Sequence, residues 1–185
     1  MTAVFRDRDD AGRSLADALR PLGLVEPVVI ALPRGGVPVA AVVARALDAP
    51  LDLVVVRKLG APWQPEYAIG AIAEDGARVL DAAVIRSLRV SEATLAGIEA
   101  AERAELARRV ERYRRGIPRL DLRGRTVVVV DDGLATGATA RAACASARAR
   151  GAAVERKAIR WVSPSSGWTS VELHRTAHSP SRLPI

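Results

Sequence analysis

The residues of this chain best suited to chemistry lie in the stretch TVVVVDDGLATGAT at residues 126–139. Its four consecutive valines predict a strand buried on both faces of a parallel sheet, and Asp131 and Asp132 follow at the carboxyl end of that strand. Ligands of open α/β sheets bind at that end, where two carboxylates can accept hydrogen bonds from vicinal hydroxyl groups and favour a nearby divalent cation. The pair therefore predicts a site for a ribose-like ligand.

The loop after the two aspartates is built from small residues and opens a helix. Its backbone N–H groups can close around an anion, its threonine hydroxyls can donate to that anion, and the helix dipole adds favourable potential. Aspartate pairs also occur in receiver domains and metal phosphatases, but that alternative leaves the second threonine and the lack of a P-loop lysine unexplained. The residues predicted to bind phosphate are Ala135, Thr136, Gly137, Ala138 and Thr139.

The same stretch resembles the motif with which type I phosphoribosyltransferases bind phosphoribosyl pyrophosphate (PRPP), in which a hydrophobic strand precedes two acidic residues, a short spacer and Thr-Gly-x-Thr. The resemblance implies that Asp131 and Asp132 hold the ribose 2- and 3-hydroxyls and take part in catalysis. It also implies that the loop after them wraps the 5-phosphate. The implied PRPP-binding residues are Gly133, Leu134, Ala135, Thr136, Gly137, Ala138 and Thr139.

A second segment, VVIALPRGG at residues 28–36, reads as another buried strand that ends in a turn. Gly35 and Gly36 permit close approaches that a Cβ would block, and Arg34 supplies a planar positive fork, a combination that suits pyrophosphate. A surface arginine in a strand-to-helix turn is common, so the segment alone is a weak signal. In the family that the chain resembles, this loop binds the pyrophosphate of PRPP, often with an unusual backbone geometry, and the resemblance extends that role to all three residues.

The third segment, LDLVVVRKLG at residues 51–60, predicts a strand over residues 51–57 that delivers Arg57 and Lys58 side by side. Two adjacent cations need an anionic partner. The resemblance makes both of them catalytic candidates for neutralising the departing pyrophosphate. Lys58 is preferred because its compact ammonium can follow charge as it develops.

Residues 61–80 carry two prolines in a loop and a predicted hairpin turn near Asp75 and Gly76. The resemblance makes this segment a mobile lid, which would exclude water from a reactive sugar cation. Trp63, Glu66 and Tyr67 could reach the site from the lid. For the two aromatic residues, packing of a hairpin on the sheet is an equal alternative.

Alternating strand and helix patterns predict an α/β fold, a doubly wound parallel sheet with helices on both faces and a lid hairpin. An N-terminal helix capped by Asp9 or Asp10 begins the chain. The predicted strands are residues 28–32, 51–57, 127–130 and 154–161, and the predicted later helices are residues 37–47, 91–115 and 139–150.

The predicted phosphoribosyltransferase-like domain covers residues 1–160, and residues 161–185 form an atypical polar tail. The alanine-rich and valine-rich texture ends there, in a place where similar proteins continue into a hood over the base, so truncation or a frame change is one hypothesis. His174 and His178 are spaced for a metal pair on a helix, but the prolines and serines around them favour disorder.

The net charge of +7 raises the question of nucleic acid. Much of this charge lies on the long helix, where Glu99 with Arg103 and Glu105 with Arg109 are spaced as i,i+4 pairs of a solvated face. The end of that helix is basic, but no aromatic stacking platform accompanies it. Neither nucleic acid nor a membrane is an expected partner, and the lone Cys144 with no targeting signal agrees with a cytoplasmic protein.

The resemblance implies Mg2+-dependent transfer of the 5-phosphoribosyl group of PRPP to a nucleobase or related nitrogen acceptor, with release of pyrophosphate, by a homodimer. PRPP and water would hold most of the magnesium, so Asp131 and Asp132 would orient it indirectly. Ala135 stands where enzymes for 6-oxopurines typically have aspartate, which disfavours hypoxanthine and guanine as acceptors. The alternative is a noncatalytic sensor of PRPP or nucleotides that contacts nucleic acid or a protein.

Overall fold

A three-stranded parallel sheet forms the centre of the protein in a computed structural model that describes residues 5–133 and 137–153 and the backbone of residues 158–163 and 167–172. Strand β1 (Val28–Ala31) lies between β2 (Leu51–Leu53) and β6 (Val127–Val130), and both neighbours run parallel to it. Every residue of β1 and β6 is buried, as uninterrupted apolar β-branched runs predict for strands covered on both faces. The predicted parallel α/β architecture is confirmed.

Helices cover both faces of this sheet. On one face α1 (Arg8–Leu19) and α2 (Gly36–Ala46) pack against Val29, Ala31, Val128 and Val130. On the other face α5 (Ala138–Ala149) packs against the alternate residues of the same two strands. Successive side chains of a strand point to opposite faces, so each four-residue run serves two separate cores.

The first helix begins earlier than the sequence predicts. The carboxylate of Asp7 accepts a hydrogen bond from the Asp10 N–H at 2.7 Å, so Asp7 is the N-cap and the prediction of Asp9 or Asp10 is wrong. Asp9 and Asp10 instead lie in the first turn, where their charges favour the helix dipole. Leu15 and Leu19 are buried and pack into the core beneath the helix.

The predicted strand over residues 51–57 is in fact two strands in two sheets. The chain leaves the parallel sheet after β2, and β3 (Val56–Ala61) begins an antiparallel sheet with β4 (Gln64–Ala73) and β5 (Arg78–Leu80). Val54 and Val55 are both buried, but Val54 joins the core of the parallel sheet and Val55 the core of the antiparallel sheet. The apolar run therefore reflects a crossing between two layers.

The turn predicted near Asp75 and Gly76 is present between β4 and β5. Gly76 has a φ of 92°, a left-handed conformation that favours glycine, and its N–H donates to the carbonyl of Ala73 at 3.0 Å. A second turn joins β3 to β4 at Pro62 and Trp63. The predicted lid segment thus contains β4 and β5, the last two strands of a three-stranded meander.

Two helices, α3 (Ala82–Ser87) and α4 (Glu92–Arg114), follow the antiparallel sheet, and α4 packs on β3. The Ser91 hydroxyl accepts a hydrogen bond from the Thr94 N–H and caps α4. The helix therefore begins at Glu92, one residue after the predicted start. Arg114 at its last turn is buried and contacts Asp52 of β2 and Glu74. Within the described residues, no helix has both the length and the apolar character required to cross a bilayer.

Helix α5 ends at Ala149 with Arg150 as its C-cap, one residue before the predicted end, and Ala153 then forms a parallel bridge with Thr126. Strands β7 (Ala158–Ser163) and β8 (Gly167–Glu172) then pair antiparallel with each other. Regular structure therefore continues into the segment predicted as a polar tail, and the described part of the predicted last strand is paired with β8. Residues 154–157, His174 and His178 lie outside the described residues.

Candidate active site

The two loops predicted to bind a ligand meet at the carboxyl ends of β1 and β6. The Leu32 N–H donates to the Val130 carbonyl at 2.9 Å and extends the strand pairing to the start of both loops. A Cβ on Gly35 would overlap the Asp132 carboxylate, and a Cβ on Gly36 would lie 2.6 Å from the Val130 carbonyl oxygen. The structure thus brings Gly35 and Gly36 against Asp132 and the end of β6, and both positions require glycine.

The loop from Pro33 to Gly36 turns directly from β1 into α2. The peptide bond between Pro33 and Arg34 is cis, which is the unusual backbone geometry that the resemblance implies for this loop. The Gly36 N–H donates to the Leu32 carbonyl at 3.0 Å, and the Val37 N–H donates to the Arg34 carbonyl at 3.2 Å. The Arg34 side chain lines a cleft of about 150 Å3 that faces α4.

Asp131 is a partly buried carboxyl group beside a second carboxyl group. Burial, together with the neighbouring charge of Asp132, raises the pKa of Asp131 to about 6. Its Oδ1 atom accepts a hydrogen bond from the Asp132 N–H at 2.8 Å, which partly opposes that rise. A ligand that donates hydrogen bonds, or a cation nearby, would stabilise the ionised form.

The loop predicted to bind phosphate ends in a left-handed glycine at the start of α5. Gly137 has a φ of 71° and is the N-cap of this 12-residue helix, with Ala138 buried and Thr139 in the first turn. The amino terminus of α5 therefore follows Asp131 and Asp132 closely in the chain, the arrangement on which the prediction of a phosphate loop rests. Gly133 lies between the aspartates and that helix, whereas Leu134, Ala135 and Thr136 lie outside the described residues.

The comparisons with known proteins agree with this geometry. The family of the phosphoribosyl transferase domain matches residues 8–168. The chain belongs to this family. Two proteins named "Putative phosphoribosyl transferase", from Mycobacterium tuberculosis strains CDC 1551 and H37Rv, are each 57% identical to it over 149 residues, or 80% of this chain and 34% of their own length. This phosphoribosyl transferase domain protein thus spans about a third of the length of those relatives.

The fold is also that of a solved structure. The crystal structure of TT1426 from Thermus thermophilus has a TM-score of 0.70 and 49% sequence identity to this chain. The similarity covers 82% of this chain and 72% of TT1426. The predicted family and the predicted fold of this chain are therefore both confirmed.

The two predicted catalytic cations, Arg57 and Lys58, lie on opposite faces of β3. Arg57 pairs across the sheet with Ile72, on the face packed against α4, and its Nε lies 2.6 Å from Glu102 Oε2. Lys58 pairs with Ala71, which shares a cluster with Ala138 of α5. Lys58 therefore lies on the side of the phosphate loop, and Arg57 is held away from that side by an ion pair.

The tip of the β3–β4 hairpin is the exposed part of the antiparallel sheet. Trp63 and Tyr67 are 69% and 44% exposed. Lys58 Nζ contacts Glu66 Oε2 at 2.9 Å and donates to the Glu66 carbonyl at 3.1 Å, although the Glu66 side chain is almost fully exposed. The tip thus contacts Lys58, the residue predicted to neutralise the departing pyrophosphate.

The structure adds one residue that the sequence did not indicate. Arg8, at the start of α1, lies with Nη2 3.0 Å from Asp132 Oδ2. No pattern in the sequence links these residues, because a polar residue at the start of a surface helix has many ordinary roles. Only the packing of α1 on α2, beside the parallel sheet, brings Arg8 to the site.

No group of three or more histidine, cysteine, aspartate or glutamate side chains arranged to hold a metal occurs among the described residues. Asp131 and Asp132 nevertheless fit magnesium that is carried by a phosphorylated ligand. A partly buried carboxyl with a raised pKa lacks a compensating positive charge, and a nearby hydrated cation would supply one. These two aspartates are therefore the residues able to orient such a cation.

Proposed function

We propose that this phosphoribosyl transferase domain protein transfers the 5-phosphoribosyl group of PRPP to a nucleobase or related nitrogen acceptor and releases pyrophosphate. The contact of Gly35 with Asp132 carries the proposal. It places a glycine loop suited to a diphosphate against a carboxylate suited to sugar hydroxyls. PRPP carries these two groups on neighbouring carbons of one ribose.

In this proposal each group of PRPP has its own partner. Asp131 and Asp132 accept hydrogen bonds from the ribose 2- and 3-hydroxyls, and the 5-phosphate lies at the amino terminus of α5. Loop 33–36 receives the diphosphate through its backbone and Arg34. Residues 134–136 complete the phosphate loop in this proposal and lie outside the described residues.

The reaction breaks the bond between the anomeric carbon and the diphosphate oxygen, which leaves with the electron pair. The ribose then has oxocarbenium character, and the nitrogen acceptor forms the new bond to the same carbon. Catalysis consists of stabilising the leaving anion and aligning the acceptor. Lys58 is the side chain proposed to neutralise developing charge, since it lies on the face of β3 toward α5.

Magnesium, which the family generally uses with PRPP, neutralises charge on the diphosphate when it is bound. The residues that orient it in this proposal are Asp131 and Asp132. They do so through water and PRPP, without a cage of protein ligands. The ionised form of Asp131 is the one that suits this role, and at neutral pH a pKa of about 6 leaves most of the group ionised.

We further propose that the β3–β4 tip acts as the lid. Its contact between Glu66 and Lys58 connects the exposed tip to the reacting region, and closure would place Trp63 or Tyr67 over the acceptor. Exclusion of water would protect the sugar cation from hydrolysis. A homodimer in the cytoplasm is also part of this proposal, and sedimentation analysis of the purified protein tests the dimer.

Calorimetric titration with PRPP and Mg2+, followed by a screen for pyrophosphate release with purine, pyrimidine and small-amine acceptors, tests the proposal. Acceptor-dependent release is the expected result and names the acceptor class. D131N and D132N should both weaken PRPP binding in the same assay. Tight PRPP binding without release for any acceptor would replace the transferase with a sensor, and unchanged affinity in both variants would overturn the assigned ribose site.

A further inference from the structure

A cleft lined by Arg34 of loop 33–36 and by residues of α4 has more positive charge than the loop itself. It has a volume of about 150 Å3 and lies between the loop and the last turns of α4. Four guanidinium groups and one carboxylate line it, so the formal charge of the lining is +3. The lining residues are Arg34, Glu105, Arg108, Arg109, Arg112 and Tyr113.

The one carboxylate of this α4 cleft is already engaged. Glu105 Oε1 lies 2.6 Å from Arg109 Nε, and Glu105 Oε2 lies 2.6 Å from Arg108 Nη2. Both arginines hydrogen-bond to it and lower the pKa of Glu105 to about 2, so it stays ionised at neutral pH. Glu105 therefore orders two of the guanidinium groups, and its single negative charge does not neutralise all four.

The guanidinium groups of Arg34 and Arg112 have no hydrogen bond or ion pair within the described part of the chain, and both residues line the α4 cleft. Two unpaired cations beside two paired ones repel each other at short range, which is unfavourable unless an anion enters. Guanidinium groups recognise phosphate oxygens in two-pronged pairs, and the Tyr113 hydroxyl adds a further donor. The cleft thus has the chemistry of a phosphate site.

The size of the cleft restricts its ligand. Pockets that enclose drug-sized molecules have volumes of about 300 to 1,000 Å3, so 150 Å3 is too little for a nucleoside and suits a compact anion. A charge of +3 at the lining favours an anion with several charges over a single orthophosphate or carboxylate. Pyrophosphate has both properties.

We propose that the α4 cleft binds pyrophosphate, with Arg112 as its recognition residue and Arg34 shared with the adjoining loop. Because Gly35 contacts Asp132 and the preceding residue, Arg34, lines the cleft, loop 33–36 joins the two, and the anion released beside Asp132 can pass to the cleft. This assignment of the leaving group rests on the proposed function. Binding of free pyrophosphate does not.

Calorimetric titration of the full chain with sodium pyrophosphate tests the assignment. The test variants are R112Q and R34Q, and the matched control is R103Q on the same helix, where Arg103 pairs with Glu99 at 3.8 Å and does not line the cleft. We expect affinity for pyrophosphate to fall about tenfold in R112Q and in R34Q, the effect of losing one charge-assisted contact, and to stay at the wild-type value in R103Q. Equal melting temperatures for R112Q and R103Q show that R112Q is folded.

The outcomes separate this inference from the proposed function. If the wild type binds PRPP but R112Q retains wild-type affinity for pyrophosphate, the cleft assignment is overturned and the proposed function stands. If pyrophosphate binding depends on Arg112 while PRPP does not bind, the cleft assignment stands and the proposed function fails. Binding of a single-stranded oligonucleotide with no binding of pyrophosphate would also overturn the cleft assignment.

Discussion

The guanidinium group of Arg8 lies 3.0 Å from the carboxylate of Asp132, although 124 residues separate them in the chain. The pair connects the first turn of α1 to the end of β6 where the ligand is expected. Both side chains are partly exposed to solvent, so the pair adds at most about 1 kcal/mol to stability. The pair holds Oδ2 of Asp132, and in the proposed function Oδ1 is left to accept from a ribose hydroxyl.

We predict that R8Q weakens PRPP binding about fivefold, since an exposed pair of this kind contributes up to about 1 kcal/mol. The variant loses both the orientation of Asp132 and a positive charge beside a highly anionic ligand. Calorimetry with PRPP and Mg2+ measures the change. R13Q is the control, because Arg13 belongs to the same helix and approaches only Asp10, at 3.9 Å. Equal affinities for R8Q and R13Q would contradict the role of Arg8.

The raised pKa of Asp131 predicts two pH effects of opposite sign. The folded state holds this proton to about pH 6, whereas the unfolded chain loses it near 3.8. The contribution of Asp131 to stability is therefore fully present below about pH 4 and is lost as the pH rises to about 6. PRPP affinity should instead increase as the pH rises through 6, because the ionised carboxylate is a better acceptor of hydrogen bonds from hydroxyl groups.

D131N tests both effects. At pH 7.5 it should raise the free energy of unfolding by up to about 3 kcal/mol, which corresponds to the difference between a pKa of 3.8 and one of about 6, while it weakens PRPP binding. At pH 4 the unfolding of D131N and of the wild type should be similar. Urea denaturation at both pH values measures the first effect, and calorimetry at pH 5.5 and 7.5 measures the second. A wild-type PRPP affinity that does not change between pH 5.5 and 7.5 would exclude a role for this ionisation.

Gly35 and Gly97 form a matched pair of glycines for a third prediction. G35A adds a Cβ where the Asp132 carboxylate lies, so Asp132 must move and PRPP binding should fall at least about tenfold. G97A adds a Cβ to open space within α4, where replacement of glycine by alanine stabilises a helix by about 0.5 to 1 kcal/mol. Calorimetry and thermal unfolding of the two variants measure these effects. Undiminished PRPP affinity in G35A would show that Asp132 is not held by this contact.

The sequence was sufficient to predict the parallel core and the meeting of its two loops. Residues 28–31 and 127–130 are uninterrupted apolar runs, and such runs become adjacent central strands whose carboxyl ends share one edge of the sheet. Asp132 and Gly35 follow those runs closely, so their proximity is a consequence of strand pairing. Local pattern and topology give the same answer for this part of the site.

Other features could not be read from local pattern. Val54 and Val55 are equally apolar whether they continue one strand or cross between two layers, and only the competition between the two cores decides. Arg8 contacts Asp132, and Arg112 lines the same cleft as Arg34. Both arginines belong to helices that are distant in sequence from these partners, so their positions depend on tertiary packing. Arginines are common on surface helices of this chain, and the sequence alone does not distinguish these two.

The opposite placement of Arg57 and Lys58 predicts different defects. K58Q should lower the rate of pyrophosphate release about a hundredfold with little change in stability, because it removes a charge that acts on the leaving group. R57Q should mainly lower stability, since it leaves Glu102 of α4 without its partner. Steady-state kinetics and urea denaturation of both variants distinguish the two residues. A larger kinetic defect in R57Q than in K58Q would reverse the assignment.

Arg114 anchors the end of α4 through buried charges. Its side chain is 9% exposed and lies 3.1 Å from Asp52 and 2.7 Å from Glu74, whose side chains are each 1% exposed. R114A leaves both carboxylates short of positive charge in the interior, which typically costs about 3 to 5 kcal/mol. Urea denaturation should show this loss, with R103A as an exposed control that changes stability by about 0.5 kcal/mol or less.

The position of Arg112, two residues before this anchor, extends the prediction to binding. Loss of Arg114 releases the last turn of α4, so R114A should lower pyrophosphate affinity and stability together. R112Q should lower affinity alone, because its side chain faces the cleft and has no partner among the described residues. If R114A were destabilised yet bound pyrophosphate as the wild type does, the α4 cleft would not depend on the anchor, and Arg112 would hold its position through the rest of the helix.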